Sequence, residues 1–67
     1  MDQIEIQIMQ MSPDGRVALG NWMTVEIVFN DPQHVVREMQ QVQSQYPAGT
    51  RVRAVEQGTG RLVDILA

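Results

Sequence analysis

Asp31 and His34 stand three residues apart, an acid and an imidazole of the kind that share a proton in general acid–base catalysis. Neither a nucleophile nor a second base accompanies them, and Asp31 directly precedes Pro32 where a helical pattern begins. We therefore read the pair as a helix cap and a solvated imidazole, and expect no catalytic residue. Gly58-Thr59-Gly60-Arg61 is rich in glycine but has neither the lysine nor the strand-loop-helix setting of a phosphate loop, so it reads as a hairpin turn. Trp22, Arg51 and Arg53 combine an aromatic ring with two cations, the residue types that stack a base and hold phosphates. Two features oppose that chemistry: the net charge is −3, and the aromatic strand motif of common single-strand binders is missing. Pairing of Arg53 with Glu5, Glu26 or Asp64 is the expectation instead.

Composition removes further classes. The chain has no cysteine, hence no disulfide or thiolate chemistry, and its single histidine excludes a zinc site of the usual nitrogen and sulfur type within one chain. No metal and no cofactor are expected. Eight acids against five arginines give no overall attraction to nucleic acid or anionic lipid. No apolar run approaches the length of a membrane span, and Met-Asp-Gln-Ile-Glu lacks the basic flank of a signal peptide, so we expect a cytoplasmic protein with no membrane partner. Its 67 residues make one small domain, 1–67, whose single core barely offsets the conformational entropy of folding; a second buried surface would help.

The elements that position these residues follow from periodicity. From Asp31 to Tyr46 the apolar residues Val35, Met39, Val42 and Tyr46 fall on one helical stripe, widened by Val36, with Arg37, Glu38, Gln40, Gln41 and Gln45 opposite. Pro32 suits the first helical position, and Tyr46-Pro47 ends the helix near Gln45. Burying that stripe is worth at most about 6–12 kcal/mol. Gln3 to Gln10 alternates with Ile4, Ile6 and Ile8 on one side, and Ser12-Pro13-Asp14-Gly15 reverses the chain. Pairing Met11 with Arg16 places Ile8 opposite Leu19 and Ile4 opposite Met23; Gly20-Asn21 is a bulge or a second turn. Trp22 to Phe29 alternates again, with Met23, Val25, Ile27 and Phe29 on the isoleucine face. Arg51 to Glu56 and Arg61 to Leu66 form a second hairpin in which Val52 meets Ile65, Arg53 meets Asp64 and Ala54 meets Val63.

This pattern predicts an α+β two-layer sandwich: a four-stranded sheet, ββαββ in sequence, with one helix packed on one face. The other face must meet water or a partner. It is expected to carry Glu5, Gln7, Ala18, Thr24, Glu26, Asp64 and Leu66 together with Met9, Met11, Trp22, Val28, Arg51, Arg53, Val55 and Leu62, more large apolar side chains than a solvated sheet face needs. We take those last eight as the candidate interaction residues, for a protein partner or a homodimer.

The stretch Tyr46-Pro47-Ala48-Gly49-Thr50-Arg51-Val52-Arg53-Ala54-Val55 with Gly60-Arg61-Leu62-Val63-Asp64, joined to Trp22-Met23-Thr24-Val25 and the helix, resembles small uncharacterised bacteriophage and prophage proteins. The resemblance implies a short accessory protein and assigns no functional residue. The expected function is a non-enzymatic interaction module working through the helix-free sheet face. Single-stranded nucleic-acid binding through Trp22, Arg51 and Arg53 is the alternative.

Overall fold

The computed structural model describes residues 3–66. Strand β1 (Gln3–Met9) leads through a hairpin arm to β2 (Met23–Phe29); helix α1 (Pro32–Gln45) follows, then β3 (Arg51–Glu56) and β4 (Leu62–Leu66). The sheet is antiparallel throughout in the order β2-β1-β3-β4, so the helix connection passes over β1. The expected α+β arrangement of four strands and one helix is the one found.

The helix starts and stops for the reasons its sequence suggests. Asp31 is extended, with φ −114° and ψ 112°, and its Oδ1 accepts from the Gln33 N–H at 3.2 Å. Tyr46, ahead of Pro47, returns to extended geometry at φ −113° and ψ 159°. Val35, Met39 and Val42 are buried against Ile4, Ile6, Ile8, Val28, Val52 and Ala54, with Val25, Tyr46 and Leu66 at the margin. The core thus lies between α1 and the three strands β2, β1 and β3.

The first hairpin turns at the expected residues in a different register. Gly15 N–H donates to the Ser12 carbonyl at 2.8 Å, and φ of 74° at Gly15 is a conformation that favours glycine. Asp14 accepts from the Ser12 hydroxyl and the Arg16 N–H, which hold its carboxyl below the usual range. Met11 bridges Ala18 rather than Arg16, Ile8 pairs with Met23 rather than Leu19, and Ile4 pairs with Val28 rather than Met23. Two causes add up. The arm closes with Ser12 N–H on the Val17 carbonyl and Leu19 N–H on the Gln10 carbonyl, and a bend at Gly20 then separates it from β2.

A bulge in each edge strand corrects the face assignments. Between Ile6 and Gln7 the pairing with β2 shifts: Ile6 faces Glu26, Gln7 faces Thr24, and Val25 is the extra residue. Beyond it the pleat runs in the opposite phase from the one expected, so Val28 and Glu26 lie on the helix side. Ile27 and Phe29 lie on the open side. In β4 the hairpin closes as expected, with Glu56 N–H donating to the Arg61 carbonyl at 2.8 Å and Val55 opposite Leu62. Val63 is then extra, which brings Asp64 opposite Ala54, Ile65 opposite Arg53 and Leu66 opposite Val52. Asp64 and Leu66 therefore belong to the helix side, and the expected Arg53–Asp64 pair is not formed.

Candidate functional site: the helix-free sheet face

Cross-strand partners share a face, so the registers place the open side residue by residue. One row reads Ile27, Glu5, Val55, Leu62 across the four strands; the next reads Thr24, Gln7, Arg53, Ile65. Phe29 pairs with Gln3 at one end, and Met9 with Arg51 at the other.

The centre of the face is a connected polar ladder. The Arg53 guanidinium carbon lies 4.2 Å from the Trp22 ring centroid, a cation–π stack that anchors the residue just ahead of β2 onto β3. Arg53 Nε donates to Gln7 Oε1 at 2.8 Å. Gln7 Nε2 donates to Thr24 Oγ1 at 3.1 Å and to Glu5 Oε1 at 3.3 Å, and the Thr24 hydroxyl donates to Glu5 Oε1 at 2.6 Å. The ladder thus ties β3, β1 and β2 together on the side that the helix does not cover. Among the described residues the second Glu5 oxygen and the terminal guanidinium nitrogens of Arg53 have no intramolecular hydrogen-bond partner. Apolar columns flank the ladder, Ile27 and Phe29 on β2 and Leu62 and Ile65 on β4. These four are exposed, Phe29 by 65% and Leu62 by 53%.

Of the eight candidate interaction residues, Met9, Trp22, Arg51, Arg53, Val55 and Leu62 belong to this face. Val55 is only 3% exposed, so its neighbours already cover it. Val28 does not belong: the β2 bulge turns it into the core, 8% exposed. Met11 lies past the four-stranded face in the hairpin arm, on a hollow it shares with Gln10, Pro13, Leu19, Pro47 and Ala48. Gln7 and Thr24, the rungs of the ladder, are visible in the sequence as open-face polar residues; their linking role depends on β1 lying between β2 and β3.

Glu26 is corrected as a partner of Arg53. It sits across Ile6 on the helix side of β2, where burial first, then the Glu38 carboxyl beside it, push its carboxyl above the usual range while His34 opposes them. A carboxyl that binds its proton more tightly in the folded state favours folding at low pH. That contribution fades as pH climbs past the ordinary Glu value of 4.5. Glu26→Gln is therefore expected to stabilise the domain at pH 7, by less than about 1 kcal/mol because solvent screens this carboxyl, and to raise Tm by a few degrees at most. The gain should vanish near pH 4, which thermal melts across that range would check.

His34 is half-buried at the first turn of α1, and among the described residues no three His, Cys, Asp or Glu side chains converge as a metal site requires. Glu56 and Arg61 form the one ion pair among the described residues, at 3.2 Å across the β3–β4 turn. No helix among the described residues is long and apolar enough to cross a membrane. Comparison with protein-family models, with curated proteins and with solved structures finds no match to this chain. The geometry of the open face therefore carries the functional reading.

Proposed function

We propose that the chain is a non-catalytic protein-interaction module whose working surface is the helix-free sheet face. The observation that supports it is the face itself: a polar ladder with its ends unsatisfied, set between two exposed apolar columns. Interfaces combine such an apolar area with a few oriented polar groups, and Trp and Arg are their preferred anchors. The ladder fixes Trp22 and Arg53 beforehand, which lowers the entropy lost when a partner docks. Single-strand binding through Trp22, Arg51 and Arg53 is less well supported. Arg53 already stacks on the Trp22 ring, Glu5 stands at the centre of the face, and the chain is acidic. We extend the proposal to an accessory role in the cytoplasm, on the layout of the sequence alone.

Affinity capture from the host cell tests the proposal, with Phe29→Asp as control, because Phe29 is exposed and its replacement should shift stability by no more than about 1 kcal/mol. The expected result is a defined partner, this chain itself included, held by the wild type and lost by Phe29→Asp. Equal capture by both proteins overturns the assignment of the face. Salt-dependent binding of labelled single strands by the wild type would favour the nucleic-acid alternative.

A further inference from the structure

We infer that the free edge of β4 is a second binding surface: it takes an extended segment of another protein as an added strand and seats a lysine or arginine of that segment in the hollow between β4 and α1. This edge lies beside the open face and does not depend on that face being a working surface.

β4 is an outer strand, and the helix packs on β3, β2 and β1 without covering it. Its sequence, Leu62-Val63-Asp64-Ile65-Leu66, sets one acid among large apolar residues, and Leu62, Val63 and Ile65 are exposed. An exposed apolar edge is a template for strand addition unless something guards it. Hydrogen-bonded and non-bonded pairs alternate along an antiparallel ladder. Counting from the Glu56 N–H on the Arg61 carbonyl, Val55–Leu62 is a non-bonded pair, the bulge opposite Ala54 is bonded, and Arg53–Ile65 is non-bonded again. Leu62 and Ile65 therefore turn their backbone N–H and carbonyl groups outward. Asp64 Oδ1 accepts the Ile65 N–H at 2.8 Å, which caps the edge at the point where an added strand would bond.

Because the cap is a carboxylate, a base can draw it away. Asp64 lies opposite Ala54 on the helix side, and there it lines a hollow of about 150 Å³ with Asn30, Pro32, Val35, Val36 and Val63. That volume is below the roughly 300–1,000 Å³ of a small-molecule pocket and suits a single side chain. Apolar walls with one carboxylate match the methylene stem and charged head of lysine or arginine. Arg37, which follows Val36 on the helix, does not line the hollow, and Asp64 has no ion-pair partner among the described residues. A strand that bonds to Ile65 sets its next residue opposite Asp64, on the helix side. A base at that position pairs with the carboxylate and leaves the Ile65 N–H to the incoming carbonyl.

A second copy of this chain does not supply that base. The outer strands are the ones free to pair, and β2 and β4 carry Glu26 and Asp64 but no lysine or arginine. Two β4 strands paired antiparallel about their centres set Asp64 against Asp64, and like charges directly opposite are destabilising. The occupant is therefore a different protein, with a basic residue inside an extended apolar stretch.

The probe is an amidated seven-residue peptide of alternating valine and threonine with lysine at its centre, compared with the same peptide carrying glutamate there. Titrated into isotope-labelled protein and followed by amide chemical shifts, the lysine peptide should move the Leu62 and Ile65 resonances and bind at least about tenfold more tightly than the glutamate peptide. Asp64→Lys should reverse that order, and because the position is exposed the variant should fold. Phe29→Asp, on the opposite outer strand, should bind the lysine peptide as the wild type does. Amides of β4 that stay unmoved up to about 2 mM lysine peptide overturn the edge site, whatever the open face captures from the host cell. Equal binding of the two peptides, or an order unchanged by Asp64→Lys, overturns the recognition of a base. Loss of the response in Phe29→Asp moves the peptide to the open face and likewise overturns the edge.

Discussion

Val28→Asp is expected to unfold the domain at 25 °C, whereas Ile27→Asp, one residue earlier in the same strand, should leave it folded. Val28 packs beneath the helix against Ile4, and at 8% exposure it has no route for a carboxylate to water. Breaking into an apolar core with an unpaired charge costs about 3–5 kcal/mol. A 67-residue domain has only about 3–10 kcal/mol to lose. Ile27 shares the open face with Glu5 and can turn an aspartate into solvent, so its replacement should cost no more than about 1 kcal/mol. Urea denaturation followed by far-UV circular dichroism separates the two outcomes. A sensitive Ile27 beside a tolerant Val28 would mean that the β2 bulge is absent and that the strict alternation of Trp22 to Phe29 holds.

That pair of residues also marks where sequence reasoning stops. The helix is legible to within a residue at each end, because Asp31-Pro32 and Tyr46-Pro47 are local signals whose geometry needs no tertiary partner. The four strands and both turns are legible for the same reason. The phase of β2 is not, since Ile27, Val28 and Phe29 are all apolar and either phase buries hydrophobic side chains. A single extra residue at Val25 decides between them. The same ambiguity runs through Leu62-Val63-Asp64-Ile65-Leu66, where the extra residue is Val63. Both bulges are in edge strands, where only one side of the ladder is constrained and an unpaired residue costs least. At the candidate site, Trp22, Arg53 and Leu62 can be placed on the open face from alternation alone. The Arg53–Gln7 contact spans 46 positions in sequence and exists because β1 inserts between β2 and β3, an order that no local pattern encodes.

Met39→Ala is expected to cost about 2–5 kcal/mol, while Val36→Ala on the same helix should cost under about 1 kcal/mol. Met39 is the centre of the apolar stripe of α1 and is fully enclosed, whereas Val36 is 39% exposed on the flank that turns towards β4. The helix packs on β3, β2 and β1, so truncating Met39 removes contacts to the middle of the sheet, where Ile4, Ile6 and Ile8 have no other cover. In a larger protein neighbouring layers relax into such a cavity; here no second layer covers the opposite face of the sheet among the described residues, and relaxation must come from the helix. The urea midpoint should therefore fall sharply for Met39→Ala and hardly at all for Val36→Ala, with an unchanged slope for both. Equal losses at the two positions would mean that the helix is rolled towards β4, burying Val36 and Val63 together. A dimer through the open face would raise both midpoints with protein concentration while leaving the difference between them unchanged, because neither residue lies on that face.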